Sequence, residues 1–191
     1  LAPESATDVL ALLAEDPDNT RVMAGGTALV TMMRQRLLSP ERLLSLHRLP
    51  AFRHVEVSEG VLRIGALVPQ RVVEGDALVR QNFPVLAETL AQASNIRIRN
   101  VATLGGAIIH ADPNQDSLTT LLALDASVTL RSRGGQRTVP LATFFVDYYE
   151  TGIEPGELLT EILLPLPAER FTATFRKFLP GAKDDYGVVN V

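Results

Sequence analysis

The sequence has 191 residues, 46% of them hydrophobic, with no cysteine and a formal net charge of −4. That length and apolar content can bury a sizeable core in one domain or two small ones, and the lack of cysteine excludes disulfides, thiol catalysis and cysteine-held iron–sulfur clusters from these residues. The eighteen Lys and Arg are scattered rather than gathered into a stripe, which argues against nucleic acid as a partner.

His47, His54 and His110 lie far apart and lack zinc-site spacing, so no metal site is expected. Arg, Glu or Pro interrupts every apolar run before it reaches membrane-spanning length, and no basic-then-apolar leader opens the sequence. The expectation is a cytoplasmic protein without a membrane span. Leu1 at one end and the strand-like Val188–Val191 at the other read as a piece of a longer chain.

In chain order, Thr7 to Glu15 carries Val9, Leu10, Leu12 and Leu13 at helical spacing, with Pro17 beyond. Arg21 to Ala24 reads as a short buried strand. Thr27 to Leu38 reads as a helix with Thr27 as N-cap and Leu29, Val30, Met33 and Leu37 on one face. Ser39-Pro40-Glu41 could open a further helix, but Arg42 to Leu46 is favoured as a second parallel strand. Val55-Glu56-Val57 and Val61 to Ile64 flank a Ser58-Glu59-Gly60 turn, a hairpin whose change of period places a domain boundary near Pro50.

Helices are then expected over Gln70 to Arg80, Phe83 to Ser94 and Ser117 to Leu124. Ala126 to Arg131 and Arg137 to Pro140 form a second hairpin signal, and Leu158 to Leu164 closes with Pro165 as a further strand.

Two glycine pairs dominate the pattern: Met23-Ala24-Gly25-Gly26-Thr27-Ala28-Leu29 and Ala102-Thr103-Leu104-Gly105-Gly106-Ala107. Glycine permits φ > 0 and exposes N–H groups, so each pair can wrap an anion, and two such loops suggest one extended phosphate-containing ligand held at both ends. Gly25 and Gly26 could also be only a tight strand-to-helix turn. No G-x-G-x-x-G fingerprint and no Walker lysine is present.

Ala24-Gly25-Gly26-Thr27, Arg99-Asn100-Val101-Ala102-Thr103-Leu104-Gly105-Gly106 and Asp112-Pro113-Asn114-Gln115-Asp116 resemble the signature segments of the FAD-binding subunit of molybdenum hydroxylases. That family includes the medium subunit of aerobic carbon monoxide dehydrogenase and the flavin domain of xanthine dehydrogenase. Phe144-Phe145, Tyr148, Thr151, Glu157-Leu158-Leu159 with Pro165, and Phe175-Arg176-Lys177 before Asp184-Asp185-Tyr186 continue the match in order.

The resemblance implies an α+β, two-subdomain FAD-binding fold of the vanillyl-alcohol oxidase type. A small β/α subdomain would span 1–50 and a larger subdomain, with a mixed, mainly antiparallel sheet and helices, 51–167. Residues 168–191 would begin a C-terminal domain that is largely absent. The backbone amides of Ala24, Gly25, Gly26, Thr27 and Ala28 would cradle the pyrophosphate, with the following helix aimed at it and no cationic side chain required. Thr103, Gly105 and Gly106 would cover the second side.

By the same resemblance Asp116 would hydrogen-bond the ribityl side, Leu159 would touch the isoalloxazine, and Lys177 would place positive charge near the reactive ring. Read without the resemblance, Asp116 is a helix N-cap and Lys177 a solvated strand residue.

The sequence departs from the family at Ala107, where many relatives carry Asn, and at Pro180-Gly181-Ala182-Lys183, where a more basic stretch is usual. Phe144, Phe145, Tyr148 and Tyr149 are expected in core and subdomain-interface packing, and His110 as a satisfied polar residue rather than a base. The implied function is an FAD-binding electron-transfer subunit with no catalytic acid or base of its own. Its implied partners are a molybdenum-cofactor large subunit, a 2Fe–2S small subunit and an acceptor such as NAD, oxygen or a quinone. A self-contained FAD-dependent oxidase or dehydrogenase and a non-catalytic interaction module are the alternatives.

Overall fold

The first segment builds a β/α unit around a parallel strand pair. Ser5 starts helix α1 (Ala6–Glu15): its hydroxyl accepts from the Asp8 amide at 3.1 Å and donates to the Asp8 carboxylate at 2.7 Å. Val9, Leu10 and Leu13 are its buried face. Strand β1 (Thr20–Met23) pairs in parallel with β2 (Arg42–Ser45), so the strand reading of the second segment holds. Parallel strands need a crossover, and helix α2 (Thr27–Arg34) supplies it. That helix stops four residues short of the expected Leu38, because Gln35 is its C-cap and Arg36 enters the left-handed region at φ 61°. The computed structural model describes residues 1–169, 171–179, 181 and 185–191.

After a 3₁₀ turn at Pro50–Phe52, β3 (Val55–Ser58) and β4 (Val61–Gly65) form the expected hairpin. The single helix expected over Gln70 to Arg80 is two, α3 (Gln70–Gly75) and α4 (Ala77–Asn82). Asp76 divides them by accepting from the amides of Leu78 at 2.8 Å and Val79 at 3.2 Å, a cap that outcompetes continuation of the helix.

Helices α5 (Pro84–Gln92), α6 (Ile96–Arg99), α7 (Leu104–His110) and α8 (Asp116–Ala123) follow. Strands β5 (Ser127–Ser132) and β6 (Gly135–Pro140) make the second hairpin. Helix α9 (Leu141–Phe144) leads into the small ribbon β7 (Phe145–Asp147) and β8 (Glu150–Thr151), then the long strand β9 (Leu158–Pro165). Short strands β10 (Lys177–Phe178) and β11 (Val189–Asn190) pair near the end.

The main sheet has the order β3-β4-β9-β5-β6 with every pairing antiparallel, in keeping with the mainly antiparallel sheet expected. Strand β9 is its centre, and Ile162 lies opposite both Ile64 and Val128, all three fully buried. Helices α5 and α8 lie over this face with Leu86, Leu90 and Leu121 in the same core, joined by a buried Thr89–Thr120 hydroxyl hydrogen bond of 2.8 Å.

A second, smaller core gathers Val9, Leu10, Leu13, Leu44, Leu46 and Leu49, and is completed by Phe52, Leu67 and Leu158 from the later segment. Strand β9 serves both cores, because successive side chains point to opposite faces: Leu158 enters the small core and Leu159 the main one. Among the described residues no helix is long and apolar enough to cross a membrane.

Candidate cofactor site

The first glycine loop leaves β1 at Met23 and turns through Ala24-Gly25-Gly26 into α2. Gly26 has φ +74°, a left-handed conformation that side chains rarely adopt, and it is the N-cap; Thr27, expected in that role, is the first helical residue. No side chain caps α2, and the first bond of the helix runs from the Val30 amide to the Gly26 carbonyl at 2.9 Å. The amides of Thr27, Ala28 and Leu29 therefore have no intrahelical acceptor and point at whatever lies before the helix.

Gly25 is glycine for a different reason. A Cβ there would lie 2.1 Å from the Val101 carbonyl oxygen, so only glycine lets the two loops touch. The second pair likewise departs from the φ > 0 expectation, because Gly105 and Gly106 lie in the first turn of α7 with ordinary negative φ. A Cβ on Gly105 would meet Ala66 at 2.7 Å, which is how α7 seats against residues 66–70. On Gly106 it would meet Thr103 Oγ1 at 2.9 Å and Ala24 Cβ at 3.8 Å, so that face of α7 looks onto the first loop. Thr103 caps α7 by accepting from the Gly106 amide at 3.1 Å, and its own O–H stays available to donate.

Between the loops opens a cleft of about 200 Å³. Ala24, Gly25 and Thr103 line it together with Leu46, His47, Arg53, Leu67, Pro69, Asn100 and Val101. The sequence reading missed Arg53, His47 and Asn100 as wall residues, and Arg53 brings a cation to a site where none was expected. Asn100 sits inside a quoted motif, but nothing in the sequence marks positions 47 and 53, which reach the cleft only through the β2 and β4 packing.

Asp116 and Lys177, 61 positions apart, meet in a buried ion pair with Nζ 2.8 Å from Oδ2. Their side chains are 5% and 3% exposed, which overturns the solvated-strand reading of Lys177. Asp116 is not an N-cap either: Gln115 holds that position and Asp116 is the first residue of α8. Burial pushes the Asp116 carboxyl above its ordinary range, opposed by the Lys177 hydrogen bond and charge and by Asn190. Asn190 stands opposite Lys177 in the β10–β11 pair. Among the described residues the other carboxylate oxygen, Oδ1, is buried with no hydrogen-bond partner. A buried acceptor left unpaired is costly, so Oδ1 is open to a donor from a ligand, a water or the neighbouring Asn190 amide, whose own Oδ1 is likewise unpaired.

Leu159 lies 5% exposed in the main core, opposite Leu130, and is not in the cleft wall. Near the far end of α7, Ala111 (φ 49°) and Tyr149 (φ 59°) are both left-handed, and the Tyr149 amide donates to the Ala111 carbonyl at 3.1 Å. The His110 ring packs on Tyr149 with centroids 5.3 Å apart, and burial lowers its pKa. Burial and the Asp112 carboxylate raise the Tyr149 phenol and push Tyr186 up to about 12, so both stay protonated donors at neutral pH.

Of the four aromatics expected in packing, Phe144 is fully buried and Phe145 partly, but Tyr148 and Tyr149 are 74% and 56% exposed. They follow the β7 strand into the tight turn before β8, which lifts them off the core. Pro180, Ala182, Lys183 and Asp184 of the quoted motifs lie outside the described residues. Among the described residues no cluster of His, Asp and Glu could hold a metal ion.

Comparison with known proteins agrees with this geometry. Residues 1–167 match the family described as the FAD binding domain in molybdopterin dehydrogenase. The 6-hydroxypseudooxynicotine dehydrogenase complex subunit alpha of Paenarthrobacter nicotinovorans is 34% identical over 175 residues, 92% of this chain and 59% of that one. The glyceraldehyde dehydrogenase medium chain of Sulfolobus acidocaldarius is 34% identical over 188 residues, 98% of this chain and 66% of the relative.

Among solved structures, carbon monoxide dehydrogenase from Hydrogenophaga pseudoflava, lacking the Mo-pyranopterin moiety of its molybdenum cofactor, superposes with a TM-score of 0.91 at 30% identity, over 97% of this chain and 64% of that one. Quinoline 2-oxidoreductase from Pseudomonas putida 86 gives 0.92 at 32%, over 99% and 65%. The chain thus spans roughly three fifths to two thirds of the length of these relatives. With the whole of 1–167 matched and both glycine loops in place, the chain belongs to the family of FAD-binding domains of molybdopterin dehydrogenases.

Proposed function

We propose that this chain is the electron-transfer flavin subunit of a molybdenum hydroxylase complex, in the cytoplasm. A partner large subunit would carry the molybdenum cofactor and a small one the 2Fe–2S clusters, with NAD, oxygen or a quinone as final acceptor. The observation that carries the reading is the contact of Gly25 with the Val101 carbonyl, which makes two loops from different segments into one wall. The residues fit the cofactor chemically: an uncapped helix start for a diphosphate, and a buried unpaired carboxylate oxygen for a hydroxyl-rich linker.

In this reading the amides of Gly25 to Ala28 bind the pyrophosphate through oriented N–H groups. Thr103 donates its hydroxyl, while Gly105 and Gly106 keep α7 flush against the site. Asp116 accepts a ribityl hydroxyl at Oδ1, and Leu159 is the apolar contact assigned to the ring. Lys177, fixed by Asp116, holds positive charge where reduction leaves negative charge. The bound flavin supplies electron exchange between the partner clusters and the acceptor.

The test is an FAD titration of the full-length chain, followed by flavin absorbance, for the native protein and Gly26→Val. The native protein should bind FAD tightly. Valine at φ +74° strains the turn and turns a branched side chain toward Met23, 3.2 Å from the added Cβ, so affinity should fall ten-fold or more, about 1.4 kcal/mol. Circular dichroism checks that the variant is folded. A folded native chain that takes up no FAD overturns the function, and unchanged affinity in a folded Gly26→Val overturns the loop assignment.

A further inference from the structure

All the sulfur in these 191 residues lies in one place. The sequence has no cysteine and three methionines, Met23, Met32 and Met33. Met23 ends β1, on one side of the first glycine loop, and the other two lie on α2, on its other side. All three are half-buried rather than enclosed, and none of the eight residues of α2 is buried. With no thiol to take an oxidant first, these thioethers are the soft, oxidisable groups of the chain.

Met23 is the one that touches the turn. A Cβ built on Gly26 would lie 3.2 Å from Met23 Sδ, 3.3 Å from Met23 Cγ and 3.4 Å from Val30 Cγ2, so the thioether and Val30 form an apolar seat for the residue that caps α2. None of these nearest atoms is a hydrogen-bond donor. Oxidation to the sulfoxide puts a polar, chiral S–O group into that seat. A strong acceptor pressed into an apolar contact without a partner is unfavourable, so the side chain has to leave. The backbone of Met23 stays, because its carbonyl accepts from the Leu46 amide at 2.9 Å. Gly26 has no such anchor: no side chain caps α2, and its left-handed turn at φ +74° loses the surface it rests on.

We propose, resting on the FAD reading above, that Met23 is a reversible oxidation switch of the phosphate loop: hydrogen peroxide converts it to the sulfoxide, and the oxidised chain loosens its hold on the cofactor. The sulfur lone pair attacks one peroxide oxygen and the O–O bond breaks. The second oxygen leaves as water, taking both protons, while sulfur gives up two electrons and the peroxide gains them. Methionine sulfoxide reductases reverse the change, which makes it a switch rather than damage. Met32 and Met33 take up oxygen by the same chemistry without touching Gly26, so they serve as internal controls.

FAD-free full-length chain is treated with hydrogen peroxide, cleared of it with catalase and titrated with FAD beside an untreated sample. Native protein, Met23→Leu and the double variant Met32→Leu/Met33→Leu are compared, each with its own untreated sample, so that any effect of leucine alone cancels. Mass spectrometry of the tryptic peptide Val22 to Arg34 locates the added oxygen, and circular dichroism checks that every sample is folded. Treatment should weaken FAD about ten-fold in the native chain and in Met32→Leu/Met33→Leu, and about two-fold or less in Met23→Leu. Methionine sulfoxide reductases A and B with a dithiol should restore the native affinity. A folded chain carrying sulfoxide at position 23 that binds FAD as before overturns the switch while the FAD assignment stands. So does a loss that persists in Met23→Leu, or a Met23 that stays reduced while Met32 and Met33 oxidise. An untreated native chain that takes up no FAD removes the function itself, and the switch with it.

Discussion

At the scale of single residues, the Asp116–Lys177 pair shows how a site can be held ready by an internal counter-ion. Burial raises the Asp116 pKa, and the hydrogen bond and charge of Lys177 act against that rise. A carboxyl whose folded pKa lies above its unfolded value contributes stability that is fully present below the unfolded pKa and is lost as pH rises through the folded one. Lys177→Met removes the hydrogen bond and the charge that oppose desolvation, so the carboxyl pKa should rise further. Breaking a buried pair from one side costs about 3–5 kcal/mol. We expect that loss in urea unfolding of the full-length chain at pH 7, shrinking as pH falls toward 5, and largely relieved at both pH values in the double variant Asp116→Asn/Lys177→Met. A pH-independent loss would show that the pair acts through packing instead.

At the scale of elements, the second loop is fixed from outside the site. Arg99 is buried and donates to the carbonyls of Ala93 at 2.9 Å and Ser94 at 2.7 Å, and to Glu74 Oε2 at 3.1 Å. Glu74 also takes Arg71. This knot ties α3 to α6 and sets where the chain emerges at Val101, whose carbonyl meets Gly25. Glu74→Gln should therefore loosen residues 99–103, raise their amide exchange rates and weaken FAD about five-fold, with the exchange of β4 and β9 amides unchanged. Weakened FAD binding with no local change in exchange would place Glu74's role elsewhere.

The same elements show what a sequence displays. Both hairpins and β9 were legible because alternation with period two is a local property, and β1 and β2 because short apolar runs flank a glycine turn. The end of α2 and the break at Asp76 were not, since capping competed with a helical period that continued on paper. Within the site, Gly25, Gly26, Thr103 and Asp116 stand in compact motifs. Arg53 does not: its place in the cleft depends on Gly65 meeting Phe52, a contact that no window of sequence contains. The glycines misled in another way, because three of the four serve close approach rather than positive φ.

At the scale of the molecule, two cores of unequal size share one strand. The sheet core includes fully buried Ile64, Val128, Leu130 and Ile162, whereas the β/α unit relies on a smaller cluster completed by Phe52, Leu67 and Leu158. Local opening follows the number of buried contacts, so without cofactor the β/α unit should open at lower free energy than the sheet. FAD on both loops would bind only the closed arrangement and would stabilise it by RT ln(1 + [L]/Kd), about 2.7 kcal/mol at a hundred times Kd. Amide exchange of the full-length chain should accordingly show Val22 and Leu44 exchanging faster than Ile64 and Ile162 in the FAD-free state, with saturating FAD slowing the first pair about a hundred-fold more than it slows the second. Equal protection of both pairs in the FAD-free state would mean that β9, through Leu158 and Leu159, couples the two cores into one cooperative unit, and the cofactor would then stabilise the whole fold rather than close its smaller part.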